Sequence, residues 1–146
     1  MKAGIFLTVL ALGVALNVGA IAGNFTDNRD GTVTDNVTGL IWQQEDDNIS
    51  RPWEEALTYC NGLTLASHGD WRLPNIKELE SITDDTVYDP AIDATYFPGT
   101  NAFVYRSSTS NISDVSYAWS VGFTSGNVHY LGVSRKTDGC FVRCVR

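Results

Sequence analysis

Cysteine placement constrains this chain more than any other feature: Cys60 lies mid-chain, and Cys140 and Cys144 lie in the closing GCFVRCVR. On a strand, Cys140 and Cys144 share a face but stand too far apart to bond each other. An intramolecular disulfide therefore runs from Cys60 to one of them. The thiol left over is either buried and inert or joins another chain.

Disulfides persist in oxidising compartments, and the N-terminus predicts one. Lys2, the uncharged apolar run from Ala3 to Leu16 and the small-x-small triplet Ala20-Ile21-Ala22 read as a secretory signal, with cleavage after Ala22. A retained anchor is the alternative. It is disfavoured because the stretch is marginal against the roughly 20 residues that span a bilayer, Asn17 interrupts it and no basic cluster follows. Residues 23–146 then form a single domain of 124 residues, enough chain to bury a core.

Without Lys2, 9 basic residues face 17 acidic ones, a formal charge of −8. Such a surface repels nucleic acid and anionic lipid, so neither is an expected partner after cleavage. The acids concentrate between Asp27 and Glu55. The tail carries Arg135, Lys136, Arg143 and Arg146, so either the two ends lie together and neutralise each other or the tail forms a basic patch.

Hydrophobic patterning predicts an α+β domain. Phe25 to Trp42 reads as short strands joined by the turn-formers Asn28-Arg29-Asp30-Gly31 and Asp35-Asn36-Val37-Thr38-Gly39. Ser50 is the expected cap of a first helix, with Pro52 in its first turn and a buried stripe of Trp53, Ala56, Leu57, Cys60 and Leu63. Asn75 and Glu78 have capping-box spacing for a second helix with Ile76, Leu79 and Ile82 inward. Asp84 to Thr100 is a long loop packed by Tyr88, Ile92, Tyr96 and Phe97. Beyond it, Tyr117, Trp119, Val121 and Phe123 alternate as one strand face, and Ser125-Gly126 turns a hairpin into Val128, Tyr130 and Leu131.

Chemistry-bearing motifs are few. There is no phosphate loop, HExxH or GxSxG, and the only histidines are His68 and His129, so the chain is not expected to be an enzyme. A hydrolase using Asp84 with Asp89 is the minor alternative. Asp27, Asp30 and Asp35 are calcium candidates in a stretch that departs from the ligand pattern at Arg29; no other cofactor is expected. Trp53 and Trp119 read as buried, whereas Tyr105 and Tyr130 are freer for contact.

Several ordered blocks carry a resemblance: Asp30-Gly31-Thr32-Val33-Thr34-Asp35, Thr38-Gly39-Leu40-Ile41-Trp42-Gln43, Trp53 with Ala56 and Cys60, and Asp70-Trp71-Arg72-Leu73-Pro74-Asn75 with Glu78-Leu79. Ser107-Ser108-Thr109, Ala118-Trp119 and Val142-Arg143-Cys144-Val145-Arg146 continue it. From Asp30 onward the chain resembles the Lcl C-terminal domain family, bacterial exported modules of unknown function named after a collagen-like adhesin. The resemblance implies a C-type-lectin-like fold, with two short helices packed on antiparallel sheets, a long loop region and a Cys60–Cys144 bridge stapling a helix to the C-terminal strand. It also implies a structural partner for Arg72, an acid or a carbonyl.

For function, the resemblance implies surface attachment, with glycosaminoglycan binding in the collagen-like adhesin, though the acidic balance here argues against heavily sulfated ligands. The family's aromatic before Ser-Ser-Thr is replaced by Tyr105-Arg106, where Arg106 could supply an anion or hydroxyl contact. The expectation is a secreted, periplasmic or cell-surface adhesin-like module that recognises a glycan or other surface ligand through Tyr105, Arg106 and Tyr130. The alternative is a homo-oligomeric subunit of an extracellular filament or surface assembly, with the N-terminal apolar segment retained or the spare cysteine joining chains.

Overall fold

The computed structural model describes residues 23–124 and 131–146. The leader and the hairpin turn at Ser125-Gly126, with Val128, His129 and Tyr130, lie outside the described residues. Strands β1 (Phe25–Asp27), β2 (Thr32–Asp35) and β3 (Ile41–Gln43) form an antiparallel sheet in chain order. Its turns are built by side chains closing on their own backbone. Asp30 accepts from the Thr32 amide and hydroxyl, and Asp35 accepts from the amides of Val37 and Thr38 and from the Thr38 hydroxyl. Gly31 and Gly39 supply the positive φ these turns need.

Helix α1 (Trp53–Gly62) starts at Pro52, whose fixed φ of −58° suits the entry, and no side chain caps it. Ser50 is therefore not the cap. Ala56 and Cys60 are the buried positions of its inner stripe. Helix α2 (Ile76–Ser81) has the predicted capping box: Asn75 accepts from the Glu78 amide at 2.9 Å, and Glu78 accepts from the Asn75 amide at 2.8 Å. Glu78 also forms a two-point ion pair with Arg72, the acid partner expected for that arginine.

A second antiparallel sheet follows, with β4 (Val104–Ser110), β5 (Tyr117–Gly122) and β6 (Leu131–Arg135) again in chain order. Tyr117 and Trp119 are half-buried while Ala118 and Ser120 are buried, so the expected inner face of β5 begins inverted. Small residues fit here because Ser120 donates to the Gly132 carbonyl of β6. The register of β4 on β5 shifts between Arg106 and Ser110, and Ser107 spans the irregularity by donating to the Trp119 carbonyl at 2.7 Å. Trp53 is likewise only half-buried. Trp42 and Trp71 fill the interior instead.

The closing segment Cys140–Arg146 binds the parts together. It bridges Arg51 through Cys140, β4 through Phe141, and both Trp42 and Arg72 through Val145. Cys60 and Cys144 are disulfide-bonded, joining α1 to this segment. One core cluster gathers Val33, Trp42, Leu79, Ile82, Phe97 and Phe123 among others. A second packs Ala56, Trp71, Leu73 and Val142 around the disulfide. In the long loop between α2 and β4, Ile92 and Phe97 are buried as expected, but Tyr88 is 74% exposed and packs nothing.

Candidate binding cleft

The first sheet, the end of α2 and the long loop enclose a cleft of about 640 Å³. It is lined by Phe25 and the Asp35–Thr38 turn, by Ser81, Ile82 and Thr83 at the end of α2, and by Asp84, Asp85, Asp93 and Tyr96 of the loop. Aromatic packing holds the walls in place. Phe25 lies 5.7 Å from Tyr96 and 5.2 Å, edge to face, from Phe97.

The carboxylates of the loop are fixed by local bonds. Asp84 accepts from the Thr86 amide and hydroxyl, which holds its carboxyl below the usual range, and Asp93 accepts from the Thr95 amide. An ionised, anchored carboxylate accepts hydrogen bonds and does not donate protons, so this cleft suits hydroxyl or ammonium donors. Asp89, the other half of the imagined hydrolytic pair, is exposed and does not line the cleft.

The calcium candidates are engaged in turns. Asp27 accepts from the Arg29 amide, while Asp30 and Asp35 hold the turns described above. Among the described residues no group of three or more acidic, histidine or cysteine side chains could hold a metal ion. Their sequence spacing reflects turn chemistry.

Tyr105 and Arg106 lie inside the protein, which corrects their reading as surface contacts. Tyr105 donates to Asp46 at 2.6 Å and accepts from the Asn101 amide; burial and the Asp46 carboxylate push its phenol up to about 12. Asp46 also pairs with Arg143 at 3.1 Å, and neither side chain has more than 1% exposure. Arg143 donates further to the Gln43 and Gln44 carbonyls and to Thr100. Burial depresses the Arg143 guanidinium's pKa, and Asp46 opposes this.

Arg106 has other partners than Tyr105 does. It donates to the carbonyls of Ser134, Arg135 and Asp138, pinning β6 and the turn after it. Tyr130 lies outside the described residues. Cys140 is buried beside Ser134 and Arg106, and burial raises its thiol's pKa, so this cysteine takes the inert alternative. The acidic stretch and the basic tail meet where Arg143 pairs with Asp46, as one sequence alternative held, whereas Arg146 pairs at 2.8 Å with Asp70, outside that stretch.

Sequence reading did not single out Asp85, Asp93 or Phe25 as site residues. Their only signal was two acid-containing loop turns, and the opposite wall comes from more than 40 residues upstream. The family model of the Lcl C-terminal domain matches residues 31–146. No curated protein matches the chain.

Proposed function

This chain belongs to the Lcl C-terminal domain family, and we propose that it is an exported, secreted or surface-associated, adhesin-like binding module for a glycan. The cleft carries the reading. Its volume of about 640 Å³ lies within the ordinary range of small-ligand sites, and it sets aromatic rings beside fixed carboxylate acceptors. Carboxylates take paired sugar hydroxyls, and ring faces take the sugar's C–H face.

Export is supported by the Cys60–Cys144 disulfide together with the signal-like N-terminus. A helix stapled to the C-terminal segment is also what a C-type-lectin-like arrangement needs. The cleft's hydroxyl–carboxylate contact, Thr38 donating to Asp35, belongs to a turn in which Asp35 also accepts from two backbone amides, so recognition fits better than turnover.

Screening the purified exported protein against immobilised oligosaccharides tests the proposal. A saturable glycan signal that weakens in Asp85→Asn/Asp93→Asn is expected, since asparagine keeps the Thr95 turn bond but not the charge. Absence of any glycan signal from a folded wild-type protein, or hydrolysis of the sugars at an enzymatic rate, sinks it.

A further inference from the structure

The buried Arg143–Asp46–Tyr105 network shares no residue with the cleft lining and supports something else. Its last members reach two surface asparagines. Tyr105 holds the Asn101 amide at 3.0 Å, and Asp46 accepts from the Asn48 amide at 2.9 Å. Asn48 sits at φ 57°, a left-handed conformation that asparagine tolerates. The two side chains meet there, Asn101 Nδ2 donating to Asn48 Oδ1 at 2.5 Å.

That single bond leaves unused capacity of both kinds. Asn48 retains two N–H donors, and Asn101 retains one N–H donor and a free carbonyl oxygen. Two residues beyond Asn101, Phe103 is 63% exposed, its ring 6.2 Å from Phe141, which in turn stacks 5.7 Å from Tyr105. Arg51, three residues beyond Asn48, bridges Cys140 beside that Phe141. The two segments are thus locked together from below.

A charged pair taken wholly out of water contributes little net stability. Here it fixes the backbone of two side-chain amides that, beyond their bond to each other, have no partner among the described residues. We propose that Asn48, Asn101 and Phe103 form a second binding site, separate from the cleft, for an uncharged pyranose: the amides bond vicinal hydroxyls and the ring stacks on the sugar's apolar face. Each sugar hydroxyl both donates and accepts, as the amide pair does. Asp47 is ion-paired with Arg51, but Glu45, three residues before Asn48, and the acidic balance of the chain turn away sulfated and carboxylated sugars.

The ligand class rests on the glycan reading above, while the location does not. The test uses the exported protein on an array of neutral, sialylated and sulfated oligosaccharides, followed by titration with the best neutral one. Phe103→Ala and Asn48→Gly, the latter keeping the left-handed backbone, are each expected to weaken neutral-glycan affinity roughly tenfold. Phe103→Tyr retains it, and thermal midpoints stay at the wild-type value. Neutral-glycan binding lost in Asp85→Asn/Asp93→Asn but intact in Phe103→Ala and Asn48→Gly overturns the second site and leaves the cleft standing. The reverse pattern supports the second site and overturns the cleft. Binding confined to sulfated or sialylated sugars, or no sugar bound, also overturns it.

Discussion

Arg143 shows how much of this protein is decided by single side chains. Its guanidinium has no solvent exposure; the two terminal nitrogens donate to Asp46, Thr100 and two backbone carbonyls, while the buried Nε has no hydrogen-bond partner among the described residues. Arg143→Met would leave Asp46 buried without its charge partner, so a loss of about 3–5 kcal/mol is expected in urea unfolding. Arg143→Met with Asp46→Leu should recover part of that loss, because no orphaned charge remains. Tyr105 adds a pH signature. Its folded phenol titrates at about 12, above the ordinary value of 10, so its contribution is complete below pH 10 and is lost as pH rises towards 12. Alkaline unfolding curves should therefore fall less steeply over that window in Tyr105→Phe, and ultraviolet titration should show one late tyrosinate disappear.

Elements whose determinants are local were legible in the sequence. Helix α2 follows from Asn75 and Glu78, which need only each other, and its pairing with Arg72 lies six residues away. Glu78's carboxyl is held below its usual range, first by Arg72, so its stabilisation is present above the unfolded pKa and fades as pH falls through the folded one. Acid titration of stability in Glu78→Gln should accordingly be flatter on the acid side, a change read from the slope of the unfolding midpoint against pH. Strand faces were less legible because partners from far along the chain decide them. Three consecutive residues of β4, Tyr105, Arg106 and Ser107, are all buried. Alternation alone expects that of none, yet Arg106 finds three carbonyls about 30 residues away, and the C-terminal segment covers the strand's other edge. The cleft was half legible for the same reason. Its loop carboxylates could be seen as a run of acids, but the facing turn at Asp35–Thr38 is placed only by the completed sheet.

At the scale of the whole molecule, one short segment decides whether two sheets and two helices form a unit. Residues Cys140–Arg146 touch β3, β4, the Arg51 region and Arg72, so their backbone bonds add joints between pieces that also share the core around Val33, Leu79 and Phe123. The Cys60–Cys144 disulfide fastens that segment over a separation of 84 residues. In the chain-entropy model, closing such a loop stabilises by about 4.5 kcal/mol, against a total of roughly 5–15 kcal/mol for a domain of ordinary size. Cys60→Ala/Cys144→Ala should thus be marginal at 37 °C, with the unfolding free energy read from urea titration lowered by most of that amount. The third thiol provides the contrast. Cys140→Ala removes one buried sulfur without opening the loop, so it should cost far less and leave the mobility on non-reducing gels unchanged. Equal destabilisation by the two variants would mean that packing around the sulfurs, rather than the covalent tie, holds the C-terminal segment in place.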